Sequence, residues 1–474
     1  MITECTQRRI DFQPLAGRDV VAQFDGGSIT SDGGGLLLRE TERVTGIIRR
    51  FAGCFTDHRK PERIEHTVEE LVGQRVYGLA LGYEDLNDHD ALRHDPLIGV
   101  LAGKADPEGQ TRRRARDRGK GCAGKSTLNR LELTPVRASA KSRYKKIAAD
   151  RRAVEDLFVQ VFLESFGQAP ERIVLDLDAT DDPLHGNQSG RFFHGYYRSY
   201  CYLPLYIFCG EHLLCARLRP SDIDESAGSV KELKRIVGMI RSAWPTTQIV
   251  VRADSSFCRE SLMAWCEQHG VDYVLGLARN SRLEAELAES LEQAKRQFAS
   301  TGQAARVFKD FLYRTLESWS RSRRVVGKAE YLPKGANPRF VVTSLSPTRW
   351  PAQTLYEQEY CGRGEMENRI KEQQLWLFAD RTSASTMRAN QLRLWLSSVA
   401  YTLMLALRRV GLKGTELARA QCGTIRTKLL KIGALVRVTV RKVWVSLSES
   451  FPYVSVFRRV YAHLRSQCPV RLRC

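Results

Sequence analysis

The order of predicted elements makes this a mixed α/β protein: a mixed sheet flanked by helices, interrupted by a β-rich insertion, with mainly helical regions on either side. Three observations predict it. Between residues 172 and 277 the chain reads three strands, helix, strand, helix, strand. Residues 299–348 then turn β-like, and both flanks carry apolar residues at helical spacing. At 474 residues the chain exceeds the usual size of one domain. The expected parts are 1–168, a core over 169–298 and 349–380, the insertion 299–348, and a helical basic region 381–474.

Residues 1 to about 140 are broken by turns at Gly26-Gly27, Gly33-Gly34-Gly35 and Asp106-Pro-Glu-Gly109. There, Val68, Leu71, Val72, Val76 and Leu79 share one side of a helix over 67–81, which Thr67 can cap. Leu128 and Leu131 share a face of a short helix starting at Ser126 or Thr127. Between them, Arg112-Arg-Arg-Ala-Arg-Asp-Arg-Gly-Lys120 is too charged to pack and belongs in an exposed loop. Ile147, Val154, Leu157, Phe158, Val161 and Phe162 form a stripe that predicts a helix from Ser142 to Phe166.

In the centre, strand 172–178 precedes strands at Tyr202–Cys209 and His212–Leu218, joined as a hairpin at Gly210-Glu211. Helix 225–243 buries Val230, Leu233, Ile236, Val237 and Ile240. Strand 248–254, helix 259–269 and strand Asp272–Leu277 follow. This is the element order of the ribonuclease-H-like fold. Helix 282–298 leads into the β-like segments 305–308, 311–316, Arg324-Val-Val and Arg339–Leu345. A helix carrying Glu367 comes next, and the tail reads helical and basic.

Lys plus Arg number 74 against 54 Asp plus Glu, giving +20 and a pI near 9.6. The excess is spread along the chain, which suits a polyanion crossing a folded surface. Charge alone leaves a merely soluble basic protein as the alternative. Hydrophobic residues at 43% exclude wholesale disorder. None of the 12 cysteines forms a CxxC pair; the closest are Cys209 with Cys215 and Cys468 with Cys474. Zinc-finger and thioredoxin spacings are thereby excluded. The N-terminus lacks the apolar stretch of a signal peptide. The longest apolar segment, Leu394–Leu407, is too short to cross a bilayer and reads as a buried helix. A reduced, cytoplasmic protein without a membrane partner is expected.

Chemistry concentrates on acids at the ends of elements. Asp178 closes Arg172-Ile-Val-Leu-Asp-Leu-Asp178, and Asp254 closes Gln248-Ile-Val-Val-Arg-Ala-Asp254. Alternation puts Ile173, Leu175 and Leu177 on one face of the first strand and Asp176 and Asp178 on the other. An acid there is costly unless paired or bound to a metal. Asp178, nearer the strand end, is the favoured ligand over Asp176, while Asp181 and Asp182 read as solvated loop acids. Asp254 alone also reads as a helix cap. Arg363, Glu367 and Lys371 recur at helical spacing, which alone marks a solvated ion-pair face. Two acids at strand ends and one on a helix are what two divalent metals over a phosphodiester require.

Other signals are weaker. Gly119-Lys-Gly-Cys-Ala-Gly124-Lys125-Ser126 satisfies the P-loop pattern, but the Arg-rich run before it cannot be a buried strand. No nucleotide cofactor is expected, and the stretch reads as a basic DNA-contacting loop. His185 and His194 read as loop residues near Asp178. Tyr196, Tyr197, Tyr200 and Tyr202 read mostly as packing, as does Trp319, for which stacking on a flipped base is the alternative.

Tyr360-x2-Arg363-x3-Glu367 resembles the YREK signature of insertion-sequence DDE transposases. Leu175-Asp-Leu-Asp178-Ala-Thr and Val251-Arg-Ala-Asp254-Ser resemble that group's other acidic motifs. Phe24-Asp-Gly-Gly, Gly82–Asp88, Ser126–Glu132 and Asp380–Arg393 are similar to one bacterial branch of it, transposase DDE domain group 1. The resemblance implies cut-and-paste DNA transposition by a ribonuclease-H-like core. It implies Asp178, Asp254 and Glu367 as catalytic residues and ligands of two Mg2+, with Mn2+ able to substitute. Tyr360, Arg363 and Lys371 would hold DNA phosphates, with further contacts from Arg112, Arg113, Arg114, Lys120 and Lys125 in an N-terminal recognition region. The signature's lysine falls on Gln374, so Lys371 takes its contact or the contact is lost. A homodimer in the DNA complex and a nucleoid-associated bacterial location are also implied. The alternatives are a nuclease without strand transfer and a non-catalytic DNA-binding relic.

Overall fold

The two apolar runs that end in acids lie side by side in a nine-stranded mixed sheet. The computed structural model describes residues 9–467. Strands Arg172–Ala179, Gln248–Ala253 and Asp272–Leu277 are parallel neighbours. Both faces of this trio are covered, which is why their sequences read as near-continuous Ile, Val and Leu. Leu205–Cys209 and His212–Arg217 add an antiparallel hairpin beside the Asp178 strand, turning through Gly210 at positive φ. Beyond Asp272–Leu277 the sheet continues antiparallel through Arg339–Thr343, Arg323–Leu332 and Ala305–Tyr313. The β-like stretch 299–348 therefore extends this sheet and satisfies the backbone groups of its edge.

Ile173, Leu175 and Leu177 face one layer, with Leu233, Ile236 and Ile240 of helix Ser229–Ala243, Leu262 of Glu260–Gln268 and Leu283 of Ser281–Thr301. On the other face, Val174, Val250, Val274 and Val341 pack against Leu355 and Tyr356. A third core joins the two ends of the chain: helix Val68–Leu81 packs with Met387–Ala406. Thr67 accepts from the Glu70 N–H while Glu70 caps the Thr67 N–H, so the expected cap is a reciprocal box. Met387–Ala406 is buried along nearly all its length, as its apolar run predicts. Among the described residues no helix is long and apolar enough to cross a membrane. The described cysteines are free thiols, most of them buried.

Several expectations are corrected. The helix read over Ser142–Phe166 spans Arg151–Glu164, because Asp150 caps it through the Ala153 N–H. Ile147 belongs instead to a strand paired with Phe55–Asp57. The tail is not wholly helical: Ala434–Val438 and Val443–Leu447 form a hairpin that pairs with Ser28–Thr30. Its β-branched run Val436-Arg-Val-Thr-Val440 favours a strand. Tyr202–Cys209 breaks at Pro204, and Ser199–Tyr202 joins a small sheet with Asp182–Pro183 and Phe192–His194. Tyr196 and Tyr200 are exposed and pack edge-on against Tyr197 and Phe193 outside the core, whereas Trp319 is buried edge-on against Tyr313. The Cys468 and Cys474 pair and residues 1–8 lie outside the described residues.

Candidate active site

Parallel pairing places the first two acids. Ala253 is in register with Leu177, so Asp254, one residue on, comes level with Asp178. Asp254 also caps the turn Ser255–Phe257, its Oδ1 accepting from the Ser256 N–H at 2.9 Å and hydroxyl at 2.6 Å. Glu367 lies in the first turn of helix Gly364–Leu377. That helix follows a π turn, Leu355–Tyr360, and a 3-10 turn, Cys361–Arg363. Such irregular turns re-aim side chains within a helix. Tyr360 consequently brings its hydroxyl onto Gly276, where an added Cβ would stand 2.6 Å from it. Only glycine leaves room for this approach.

Arg363 stands among the acids, 2.7 Å from Glu367 and 3.8 Å from Asp178. Burial pushes the Asp178 carboxyl up to about 7; Asp254 and Glu367 add to the rise, and Arg363 opposes it. Although burial works against its charge, Arg363 is held above its ordinary value by Asp178 and Glu367. Tyr360 is raised by burial, with Arg363 opposing and Asp254 contributing. Asp178 thus lies in the field of both other acids and of the Arg363 guanidinium. Among the described residues, no three acid, His or Cys side chains are close enough to cage an ion. Arg363 supplies the positive charge that such a cage would otherwise receive. Carboxylate oxygens are nevertheless the donors that Mg2+ takes, and crowded acids gain from a cation.

Asp176 is committed elsewhere. It is 3% exposed, and Arg252 holds it through Nε at 2.5 Å and Nη2 at 2.9 Å. Arg252 also donates to the Glu359 carbonyl, tying two strands to the segment before Arg363. A Cβ on Gly362 would meet the Arg252 guanidinium at 2.5 Å. Sequence reasoning missed Arg252, although an arginine inside an apolar strand signals a buried partner.

Asp182 corrects a further expectation. It is fully buried, not a solvated loop acid, and burial first, then Asp380, pushes its carboxyl well up. Its Oδ1 accepts from Gln374 at 3.3 Å, while Oδ2 has no protein partner. Gln374, at the place of the signature lysine, therefore points at a buried carboxyl. Lys371 is exposed.

The Arg-rich loop borders a cleft of about 1080 Å³ lined by Arg113, Arg114 and Lys120 together with Arg59, Arg63 and Arg130. Arg112 is tied to Glu65 at 2.9 Å and to His66 at 2.6 Å. Burial, then Lys104 and Arg112, lowers His66 to about 3, so a neutral ring accepts from Arg112. Lys120 donates to the Arg116 carbonyl, and Lys125 lies 3.3 Å from Asp90. Arg113 and Arg114 are exposed. A 3-10 turn, Ala115–Asp117, precedes helix Lys125–Glu132 where a P-loop would need a strand.

The family described as transposase DDE domain group 1 matches residues 12–469. The chain belongs to that family of transposases. No curated protein matches it. Among solved structures it is similar to the cryo-electron-microscopy structure of the piggyBac transposase synaptic complex with hairpin DNA. That likeness is 13% identical, covers 94% of this chain and 87% of that chain, and has a TM-score of 0.42.

Proposed function

We propose that this transposase cleaves phosphodiesters at transposon ends and joins them to target DNA by a cut-and-paste route, using a ribonuclease-H-like core. The grouping of Asp178, Asp254 and Glu367 around Arg363 is the observation that carries the proposal. The strand order hairpin, Asp178 strand, Asp254 strand, Asp272–Leu277 supports the core assignment. Asp178, Asp254 and Glu367 would hold two Mg2+ ions, or Mn2+, which when bound activate a water or 3′-OH and stabilise the leaving oxygen.

The chain's own residues prepare that site. Arg363 neutralises Asp178 and Glu367 in the DNA-free protein. A DNA phosphate, which guanidinium grips bidentately, draws Arg363 off Glu367 and frees the carboxylates. Tyr360 and Lys371 hold phosphates beside it. The Asp176–Arg252 pair keeps the two acid-bearing strands in register. The basic N-terminal cleft, with Arg112, Arg113, Arg114, Lys120 and Lys125, tracks the transposon end. Pairing two ends calls for two copies in the DNA complex, working at the nucleoid of a bacterial cytoplasm.

An end-bearing donor incubated with a target plasmid and Mg2+ tests this. Joined product is expected. Cut donor without joining would leave a nuclease, and bound but uncut donor would leave a DNA-binding relic.

A further inference from the structure

Between Phe192 and Tyr202 the chain is crowded with aromatic residues, and most of them stay in solvent. Phe192, Phe193, Tyr196 and Tyr200 are exposed, Tyr196 by 83% and Phe193 by 59%. A hairpin carries them: Phe192–His194 runs antiparallel to Ser199–Tyr202, with Phe193 opposite Tyr200. Its base is fixed. Cys201 and Tyr202 are buried, the Tyr202 hydroxyl donates to the Ser189 carbonyl at 2.7 Å, and the Ser221 hydroxyl donates to the Phe192 carbonyl at 3.0 Å. The turn closes through the Arg198 N–H on the His194 carbonyl at 2.8 Å, with Arg198 at φ +54. A side chain rarely adopts that left-handed backbone, which concentrates where a segment has a task.

Burial does not account for these rings. None of the four exposed aromatics enters an apolar core. Phe193 meets Tyr200 edge-on at 5.6 Å, and Tyr196 meets Tyr197 edge-on at 5.0 Å. Arg191 lies over the Tyr200 ring at 4.7 Å, and Arg198 is exposed. From Pro183 to Gly210 the chain carries no acid. The hairpin also stands beside the acid site. Asp182–Pro183, just after Asp178, pairs with Cys201–Tyr202. Burial first, then Glu225, Asp181 and Asp178, raises the Tyr197 hydroxyl, so the turn lies in the field of Asp178. Aromatic rings interleaved with arginine are what unpaired nucleobases stack on, their phosphates meeting the guanidinium groups. An intact duplex keeps its base faces inside its own stack, and a protein seated on these rings would crowd the approach to Asp178.

We propose that the Phe192–Tyr202 hairpin binds unpaired nucleobases of the DNA strand entering the acid site, Phe193 and Tyr196 supplying the stacking rings and Arg198 a phosphate contact. Stacking there sets how far the strand enters, and so which phosphodiester meets Asp178. The inference deepens the proposed handling of DNA and rests on it.

Fluorescence titration of the full-length protein in EDTA tests the contact without cleavage. One probe is a blunt duplex; the other is the same duplex with a short single-stranded overhang carrying 2-aminopurine. Wild type should prefer the overhang by about tenfold and quench its fluorescence. Phe193→Ala with Tyr196→Ala should remove the preference and the quenching, leaving blunt-duplex affinity and the urea midpoint unchanged. Tyr196→Phe, which keeps the ring, should behave as wild type. Arg198→Ala should weaken both probes alike and flatten the salt dependence by about one ion. Equal wild-type affinity for the two probes, or a preference that survives the double alanine change, would overturn the proposal. So would a double variant that binds both probes as wild type does but loses self-association in sedimentation, which would make the rings a protein contact. Wild type that cuts donor DNA in Mg2+ yet shows no preference counts against this contact alone. Wild type that shows the preference yet never cuts counts against the proposed activity alone.

Discussion

Replacing either acid of the first strand by its amide should have opposite consequences, although the two lie only two residues apart. Asp176→Asn strips the charge from a pair in which Arg252 holds both carboxylate oxygens. Its guanidinium remains buried and uncompensated, a loss of about 3–5 kcal/mol. For Asp178 the sign reverses. Its folded carboxyl sits at about 7 against an ordinary 3.8, so the folded state binds a proton more tightly than the unfolded chain. Stability contributed by that proton is present at low pH and is lost as pH rises from about 4 to about 7. The shift corresponds to roughly 4 kcal/mol as an upper bound. The Asp178 side chain keeps 15% of its surface exposed, and solvent screening reduces that bound, so Asp178→Asn should stabilise the metal-free protein by about 1–2 kcal/mol at pH 8. That gain should shrink as pH falls through about 7. Urea unfolding in EDTA, followed by tryptophan fluorescence, measures both variants. Added Mg2+ should raise the wild-type midpoint and leave Asp178→Asn unmoved. A tolerated Asp176→Asn beside an Asp178→Asn that loses several kcal/mol would refute the assignment of roles.

Asp254→Asn and Glu367→Gln should each abolish Mg2+-dependent strand cleavage while binding end DNA as wild type does; gel shift and cleavage on one substrate separate the effects. Mg2+ affinity of the DNA-free protein should rise as pH climbs through about 7, because Asp178 must lose its proton to ligate, and calorimetry in buffers of different ionisation enthalpy should detect the released proton. Arg113→Ala and Arg114→Ala should each lower the salt dependence of DNA binding by about one ion, measured as the slope of affinity against salt. Arg112→Ala should also lower the thermal midpoint, because it leaves Glu65 and His66 without their partner.

Much of this architecture was legible in local spacing. Runs such as Ile249-Val-Val could only be covered strands, and Leu394–Leu407 could only be a buried helix. Thr67 and Glu70 announced a helix start three residues apart. The ends of apolar runs picked out Asp178 and Asp254, because a strand's last residue emerges where the sheet meets solvent. The π turn before Arg363 left no such trace, since it depends on how the helix seats against Val250 and Val274.

What the sequence determined by itself was the type and extent of most elements and the family motif threaded through them. Covalent spacing alone sets whether side chains repeat every two residues or every three to four. Tertiary structure decided who pairs with whom: Arg252 with Asp176, Gln374 with Asp182, the 434–447 hairpin with Ser28–Thr30, and strands 305–343 with the sheet that carries Asp178. Those partners lie tens to hundreds of residues apart. Their contact depends on hydrogen-bond register and burial, which no local pattern encodes.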